Sequence, residues 1–227
     1  MALLKEEDRQ YLENLFRENL KDKLKIILFS DKAAGSKLVV PGRVECPYCQ
    51  QTREILEELV SLSDKLELEI HDFLTDEILA KKYNLDKIPA ILFEKNNNVL
   101  GVRYFGIPSG YEFSSLIEDI IDISRGETQL SPNTKAFLAT VDKPVHIQVF
   151  VTPTCPYCPR AVRLAHQFAM ENPLITADMI EAIEFPHLAE KYDVTGVPKT
   201  IINEKVEIEG AVPENVFLEY FKSALKA

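Results

Sequence analysis

The sequence lacks the patterns that would link it to a membrane or to nucleic acid. No stretch approaches the roughly 18 consecutive apolar residues of a membrane span, and the segment after Met1 has no apolar run typical of a secretory signal. The net charge of −10 and the absence of a Lys/Arg cluster argue against a nucleic-acid partner. We therefore expect a cytoplasmic protein that binds neither membranes nor nucleic acid.

The usual motifs for redox cofactors and catalytic metals are missing as well. No Gly-x-Gly-x-x-Gly fingerprint is present, so nothing indicates direct binding of NADPH, and no cofactor is expected. The four histidines form no His-Glu-x-x-His or similar arrangement, which favours structural or surface roles for them. They are His71, His146, His166 and His187.

The chain has only four cysteines, and all of them lie in two copies of one motif. Cys-Pro-Tyr-Cys occupies residues 46–49 and, 109 residues later, residues 155–158. Two thiols separated by two residues can close and reopen a disulfide, which is the minimum required for dithiol exchange. In a reducing cytosol such a pair is more often redox-catalytic or metal-binding than structural. A glutamine and a proline, rather than histidine, follow the two motifs, which excludes the usual form of haem attachment.

The second motif belongs to a second copy of a larger unit. Pro89 and Pro198 each follow the first cysteine of their motif by 43 residues. Residues 82–85 (Lys-Tyr-Asn-Leu) recur at 191–194 (Lys-Tyr-Asp-Val) with the same 109-residue offset. Motif, spacing and element order coincide, which indicates an internal duplication rather than a solenoid.

Length and composition agree with two domains. The 227 residues exceed the usual size of one domain, and 46% hydrophobic residues suffice for two cores. A polar segment from Ser124 to Ser131 marks the composition break, so we expect domains at 1–123 and 124–227, each burying its own core.

Hydrophobic periodicity predicts the elements of each unit. In the first unit it predicts helices at 3–20, 50–61, 75–83 and 111–123, and strands at 24–30, 65–71, 90–94 and 99–104. In the second it predicts helices from Ser131 (as N-cap) to 140, from 155 to 170, and at 186–192 and 213–225, and strands at 145–151, 174–182, 200–203 and 206–209. Each cysteine motif thus follows a strand and opens a helix.

This position favours one cysteine of each pair as the attacking group. The thiolate, not the thiol, attacks a disulfide, and unpaired N–H groups at a helix N-terminus favour an anionic sulfur. Cys46 and Cys155 are therefore the expected nucleophiles, and Cys49 and Cys158 are expected to resolve the mixed disulfide.

Neighbouring charges predict that the two nucleophiles differ. Glu45 precedes Cys46 and disfavours its thiolate, with Arg43 as an offset. Thr154 precedes Cys155, and Arg160 and Arg163 follow it in the sequence. Positive charges near a thiol favour its thiolate, so we expect the lower thiol pKa at Cys155.

Cys-Pro-Tyr-Cys on a strand-helix turn, followed at this distance by Tyr-Asp-Val-Thr-Gly-Val-Pro at 192–198, resembles the thioredoxin and glutaredoxin superfamily. Two such units in one chain resemble the protein disulfide oxidoreductases of thermophiles. The resemblance implies an α/β fold of two tandem thioredoxin-like domains, each a central mixed β-sheet flanked by helices. It also implies redox homeostasis by exchange on protein thiols and disulfides. Because the dinucleotide fingerprint is missing, we expect the electrons to come from a separate donor of the thioredoxin-reductase type or from a small thiol.

The resemblance further implies specific site residues. The catalytic set would be Cys46, Cys49, Cys155 and Cys158. The prolines would be cis, and the backbone before each would pair with an extended substrate; this binding set is Ile88, Pro89, Val197 and Pro198.

The chain departs from the family pattern in two places. The first unit reads Leu-Asp-Lys-Ile before Pro89 and has a longer loop before Cys46, unlike the second unit. The family often has a buried acid on the strand before the Cys pair, but Val149 stands six residues before Cys155, and Gln148 is the nearest polar residue. Another carboxylate would have to approach from elsewhere in the fold.

Two other functions are compatible with parts of the sequence. Four cysteines could bind one structural zinc, but 105 residues separate the two pairs, whereas zinc ribbons place theirs about 15 to 20 residues apart. A redox-inactive thioredoxin-fold chaperone or scaffold is the other alternative, and two intact motifs argue against it. Reductase, oxidase and isomerase activities share this chemistry and differ in redox potential, for which the Pro-Tyr dipeptide suggests an intermediate value.

Overall fold

The computed structural model describes residues 4–31 and 46–226 of the 227-residue chain. Within these ranges the chain forms eight helices and eight strands. The helices are α1 (Glu6–Asn19), α2 (Cys49–Val60), α3 (Glu77–Lys82), α4 (Glu112–Arg125), α5 (Pro132–Leu138), α6 (Cys158–Glu171), α7 (Pro186–Lys191) and α8 (Glu214–Lys226). The strands are β1 (Leu24–Ser30), β2 (Leu66–Asp72), β3 (Ala90–Lys95), β4 (Asn98–Phe105), β5 (Val145–Val151), β6 (Ile175–Glu181), β7 (Lys199–Ile202) and β8 (Val206–Glu209).

The predicted elements are all present, with boundaries displaced by a few residues at most. β1, β5 and β8 have the predicted bounds. The predicted cap of α5 is confirmed, because the Ser131 hydroxyl accepts a hydrogen bond from the Thr134 N–H at 3.3 Å and Pro132 is the first helical residue. The mixed α/β fold with two thioredoxin-like units is therefore as expected.

All eight strands belong to one sheet, in the order β2-β1-β3-β4-β6-β5-β7-β8. Each half repeats the same pattern: a parallel pair (β1 with β2, β5 with β6) followed by two antiparallel pairings. The halves join through parallel pairing of β4 with β6. The duplication inferred from the sequence is thus repeated in the topology.

The expectation that each unit buries its own core is wrong. One cluster of buried residues runs through both units, and includes Phe16 and Leu28 of the first and Val149 and Phe168 of the second. The cause is the β4–β6 pairing, which turns two edge strands into central ones and leaves no solvent layer between the units. The boundary at 123/124 stays a prediction; it falls in the last turn of α4, which ends before Gly126 in a left-handed conformation at φ 69°.

A buried ion pair joins the units on one face of the sheet. Arg103 of β4 lies opposite Asp178 of β6, with Nε donating to Oδ1 at 2.6 Å and Nη2 to Oδ2 at 2.9 Å. His146 Nε2 lies 2.7 Å from the same Asp178 Oδ2. Burial acts to raise the pKa of Asp178, but Arg103 and His146 outweigh burial and lower it to about 2.

A second polar cluster joins the units on the helical face. Arg163 of α6 contacts three acids of α4: Glu118 at 3.2 Å from Nε, and Asp119 and Asp122 through its terminal nitrogens. The buried His166 ring lies 2.5 Å from Asp119 through Nδ1. Burial, together with the nearby Arg163, lowers the pKa of His166 to about 3, so the ring is neutral and Nδ1–H donates to Asp119. The structural role expected for this histidine is confirmed.

Candidate active site

The second Cys pair lies where β5 ends and α6 begins. After Val151 the chain crosses three residues to Cys155, and the helix starts at Cys158. The two cysteines are closed as a disulfide with Cα atoms 5.5 Å apart, a normal separation. The Cys158 N–H, the first of the helix, donates to Cys155 Sγ at 3.2 Å. This is the anion-stabilising contact expected for an attacking thiolate at a helix N-terminus.

The first Cys pair occupies the equivalent place between β1 and α2. Cys46 and Cys49 are also closed as a disulfide, with Cα atoms 5.4 Å apart. Here the Asp31 N–H donates to Cys49 Sγ at 3.4 Å. A polar cleft of about 250 Å³ borders Cys49 and is lined by Ser30, Asp31, Gln50, Arg53, Glu54 and Glu57. The Cys49 side chain therefore lies beside polar groups.

Both motif prolines follow cis peptide bonds, as the resemblance implied: Ile88–Pro89 and Val197–Pro198. Each proline carbonyl accepts a hydrogen bond from a glycine two strands later, Gly106 for Pro89 and Gly210 for Pro198, at 3.0 and 2.8 Å. In the second unit, the Val197 carbonyl oxygen lies 3.6 Å from Cys155 Sγ. Proline and Cys pair, 43 residues apart in sequence, thus lie side by side.

The two cysteines of each pair differ in exposure. Cys46 is half-buried, while Cys49 is fully buried. Cys155 is 8% exposed, while Cys158 is 0% exposed. In both pairs it is therefore the first sulfur that an incoming disulfide can reach, which agrees with the predicted order of attack.

The two Cys pairs do not share one site. β1 and β5 run parallel through the intervening pairings, so both pairs lie at the same edge of the sheet, but β3, β4 and β6 stand between them. Neighbouring strands are about 4.8 Å apart, which puts about 19 Å between the two strand ends. The four sulfurs therefore cannot ligate a single zinc ion.

Comparisons with known proteins agree with this geometry. Residues 145–221 match the thioredoxin domain family, and residues 37–124 match a glutaredoxin-like domain family (DUF836). The crystal structure of a protein disulfide oxidoreductase from Aeropyrum pernix superimposes with a TM-score of 0.86 and 31% identity, covering 98% of this chain and 94% of that one. The chain belongs to the protein disulfide oxidoreductases. It is accordingly a thiol-disulfide oxidoreductase with two thioredoxin-like domains.

This oxidoreductase is also similar to parts of longer redox proteins. The NTD_N/C domain of the alkylhydroperoxide reductase AhpF from Enterococcus faecalis matches with a TM-score of 0.83 and 25% identity, covering 95% of this chain and 98% of that domain. A protein named NADH dehydrogenase from Ferdinandcohnia aciditolerans is 25% identical over 150 residues, which are 66% of this chain. The oxidoreductase spans only 28% of the length of that relative.

The predicted difference in acidity between the nucleophiles stays a prediction. Glu45 and Arg43, on which the first half of that prediction rests, lie outside the described residues. Arg163 is already engaged by three carboxylates of α4, so its charge is largely neutralised. The contact from Cys158 N–H to Cys155 Sγ gives the prediction a different support.

Buried and partly buried carboxyl groups near the second site were not predicted from the sequence. Glu112 begins α4, Glu181 ends β6, and Glu184 follows it. Burial raises the pKa of Glu184 to about 7, against the Ile107 N–H that donates to it at 2.6 Å. Glutamates are usually exposed, so in the sequence these three residues resemble residues of a solvated surface. Only the tertiary structure shows that Glu112 and Glu181 are buried and that Glu184 is partly buried.

The aromatic residues within the two motifs are exposed. Tyr48 is 40% exposed and Tyr157 is 70% exposed. Neither ring is therefore packed into the core, and Tyr157 at the second site is the more exposed of the two. Among the described residues, no helix of the oxidoreductase has the length and apolar character needed to cross a membrane.

Proposed function

We propose that Cys46 and Cys155 attack disulfides of protein substrates, and that Cys49 and Cys158 resolve the resulting mixed disulfides. The observation that carries this assignment is the burial pattern: in both pairs the first cysteine is the more exposed and the second is fully buried. In the reducing direction, the Cys155 thiolate bonds to one substrate sulfur and the other leaves as a thiolate. The Cys158 thiolate then bonds to Cys155 and releases the second substrate thiolate, so that the protein ends oxidised by two electrons.

Insulin reduction by dithiothreitol tests this function. We expect the oxidoreductase to accelerate insulin precipitation, and the variant with all four cysteines changed to serine to have no effect beyond dithiothreitol alone. Variants that keep one Cys pair measure each site separately. A wild-type rate equal to that of dithiothreitol would refute enzymatic exchange and favour the redox-inactive chaperone or scaffold.

Trapping tests which sulfur attacks. In Cys158→Ser the mixed disulfide on Cys155 cannot be resolved, so a labelled disulfide peptide should remain attached until a reductant is added. Cys155→Ser is the matched control, because its remaining thiol is buried and should capture far less peptide. Equal capture by the two variants would contradict the assignment.

We infer that the backbone before each cis proline binds the substrate chain. In support, the Val197 carbonyl lies beside Cys155 Sγ, and no backbone hydrogen bond occupies it among the described residues. An extended substrate can pair with this backbone as an added strand. Ile88 has the equivalent place in the first unit. An N-methylated disulfide peptide that cannot donate to Val197 should react more slowly than its unmethylated counterpart, with an unchanged rate toward free dithiothreitol.

We propose that a separate reductase of the thioredoxin-reductase type supplies the electrons. The relatives named NADH dehydrogenase and alkyl hydroperoxide reductase are much longer than this chain, which aligns with only 28% of each. The matched 28% of those relatives is the part that resembles this chain, and no dinucleotide fingerprint lies in it here. Oxidation of NADPH or NADH in the presence of insulin should require both this protein and an added reductase.

We propose a cytoplasmic location and a thermophilic source. The absence of any cysteine outside the two redox pairs supports a reducing compartment, because no structural disulfide is built into the sequence. The thermophilic source rests on the family resemblance. Subcellular fractionation tests the first, and a thermal unfolding midpoint above about 80 °C supports the second.

A further inference from the structure

A carboxyl group of the second unit reaches across the junction to the first unit. Glu184 stands three residues after the end of β6, and its Oε1 accepts a hydrogen bond from the Ile107 N–H at 2.6 Å. Ile107 stands two residues after the end of β4 and is 77 residues away in the sequence. The contact therefore ties the segment that follows β4 to the segment that follows β6.

Ile107 lies opposite the residue that precedes the first cis proline. The antiparallel pairing of β3 with β4 sets Ala90 opposite Phe105. At the next position the proline carbonyl accepts a hydrogen bond from the glycine opposite, at 3.0 Å. One residue further along, Ile88 and Ile107 face each other. Because the backbone of Ile88 is inferred to bind the substrate chain, Ile107 borders the substrate groove of the first site.

At this point the backbone of the first unit rests directly on side chains of the second. Gly106 has φ 92°, and a Cβ atom there would lie 2.6 Å from Glu181 Cβ and 2.7 Å from Glu184 Oε1. A side chain is therefore excluded both by the positive φ and by the lack of space. The glycine that donates to the first cis proline thus fits closely against the two glutamates.

Glu184 is itself held in place. Its N–H donates to Glu181 Oε2 at 2.7 Å. Burial raises the pKa of Glu184 to about 7, and the nearby Glu181 acts in the same direction. Within the described ranges, no cation pairs with the Glu184 carboxyl group, and the Ile107 N–H is the one donor to it. Its burial is thus compensated by a single hydrogen bond, and that bond is made with the first unit.

The repeated fold does not explain why a glutamate stands here. At the 109-residue offset, Glu184 corresponds to Thr75, an exposed residue that follows β2. β2 is an outer strand of the sheet, whereas β6 meets β4 of the other unit. The glutamate therefore occurs where the two units join and not at the corresponding place on the outer edge.

The substrate groove of the second site lacks this anchor. Gly210 takes the place of Gly106 and donates to the second cis proline at 2.8 Å, but nothing lies within 4 Å of a Cβ atom built on it. Ala211 is the counterpart of Ile107, and in the part of the chain that the structure describes its N–H makes no backbone hydrogen bond. The anchored segment is therefore a property of the first site alone.

This anchor should act on substrate binding rather than on the sulfur chemistry. β3 and β4 stand between β6 and the first Cys pair, so Glu184 acts only through other residues. What it fixes is the segment behind the first cis proline. A groove that is already held in its binding conformation avoids the entropic cost of ordering it when substrate arrives.

We propose that Glu184 is a positioning residue for the first site: by holding Ile107 it keeps the cis-proline segment of the first unit in the conformation that binds an extended protein chain. The second unit thus supplies part of the support for the substrate groove of the first. The inference rests on the proposed binding of substrate by the backbone of Ile88, and it adds no step to the exchange of sulfurs.

Glu184→Ala tests the proposal in the full chain with the second Cys pair changed to serine. The reduced protein is mixed with increasing concentrations of a fluorescent disulfide peptide, which gives a half-saturating concentration and a limiting rate. We expect the half-saturating concentration to rise by about three- to tenfold and the limiting rate to stay the same. The rate toward hydroxyethyl disulfide, which has no peptide backbone, should also stay the same.

Three controls separate the hydrogen bond from a general effect of substitution. Glu184→Gln keeps an oxygen that can accept from the Ile107 N–H, and should restore most of the peptide affinity. Glu190→Ala removes an exposed glutamate from α7, and should keep both values. Glu184→Ala in the protein that keeps only the second Cys pair should leave the half-saturating concentration unchanged, because the second groove has no such anchor.

Each outcome separates the role of Glu184 from the function on which it rests. If the protein with only the first Cys pair does not exchange with the peptide, or if an N-methylated peptide binds as well as its unmethylated counterpart, the proposed function of that site is wrong and the role of Glu184 falls with it. If exchange and backbone pairing both hold while Glu184→Ala keeps the half-saturating concentration, the positioning role alone is wrong. An equal change at both sites, or a fall in the limiting rate, would show a general structural effect and would also overturn the proposal.

Discussion

We expect Arg103→Met to lower the free energy of unfolding by about 3–5 kcal/mol at pH 7, because it removes one partner of a buried ion pair. Asp178 is 1% exposed, and Arg103 holds both of its oxygens. Methionine keeps most of the side-chain length, so the change tests charge rather than packing. Within the described ranges, the pair lies on the only strand pairing that joins the two units.

The pKa of Asp178 indicates the smallest loss in free energy of unfolding to expect from Arg103→Met. Burial acts to raise it, yet Arg103 and His146 bring it from 3.8 to about 2. One pKa unit corresponds to about 1.4 kcal/mol, so folding favours the ionised carboxylate by about 2 to 3 kcal/mol. Removal of Arg103 loses most of this contribution and leaves the burial cost without compensation, so the total loss is larger.

The effect should depend on pH in a defined direction. The pKa of Asp178 is depressed in the folded protein, so its contribution is present above about pH 4 and lost as the pH falls through about 2. In Arg103→Met, burial instead raises this pKa, and the carboxyl group takes up a proton at milder pH. The difference in stability between wild type and variant should therefore shrink between pH 7 and pH 4.

Urea unfolding followed by circular dichroism at pH 7 and pH 4 measures both effects. Arg103→Met/Asp178→Asn removes the buried charge along with its partner, and should regain most of the stability lost by the single variant. A loss below about 1 kcal/mol in Arg103→Met, or a double variant no more stable than the single one, would refute the electrostatic reasoning.

Three further predictions concern the sites and their surroundings. Gly110→Ala should cost about 1–3 kcal/mol in urea unfolding and slow insulin reduction by the second Cys pair alone, because a Cβ at φ 60° meets the Pro153 carbonyl; unchanged stability would contradict this. Glu184→Gln should flatten the fall in thermal stability between pH 5 and pH 8, since burial raises the folded pKa of Glu184 to about 7 and stability is lost as the pH rises through that value; a parallel fall in both proteins would contradict this. Thiolate absorbance in single-thiol variants should give Cys155 a lower pKa than Cys46, and the reverse order would overturn the prediction.

The local elements and the Cys pairs could be predicted because their signals lie close together in the sequence. β1 and β5 are short apolar runs bounded by polar residues, and Ser131 with Pro132 is a standard helix start. The duplication could be predicted because a fixed offset links motif and proline. The family resemblance implied a cis proline and a substrate-binding backbone at Val197. The structure places the Val197 carbonyl beside Cys155, in agreement with that expectation.

The joining of the units could not be predicted, because nothing in a strand identifies a distant partner. Arg103 alternates with apolar neighbours in β4, as a solvent-facing residue of an edge strand would. Asp178 likewise looks like the exposed face of β6. Glu112 stands at a helix start, where an acidic residue is favourable on a surface. In the folded protein all three residues are buried instead. Their burial depends on how the two units join, which no local sequence pattern reports.

A comparison of the two joining strands, β4 and β6, with the two outer strands explains why the sheet stops at two units. β8 and β2 are its outer strands, and β8 on one molecule could in principle pair with β2 on another as β4 pairs with β6. The position of Arg103 is occupied in β8 by Glu207, and that of Asp178 is occupied in β2 by Glu69.

Such an added junction would therefore set two carboxylates opposite each other where the internal junction has an ion pair, and like charges at facing positions destabilise strand pairing. Each glutamate is already satisfied within its own unit, Glu207 by Lys199 at 2.8 Å and Glu69 by Lys25 at 3.0 Å. Charged edge strands of this kind discourage association with further chains. The internal junction thus sets Arg103 opposite Asp178, whereas their counterparts on the outer strands are both glutamates. This difference in charge favours pairing inside the chain and disfavours pairing at its outer edges.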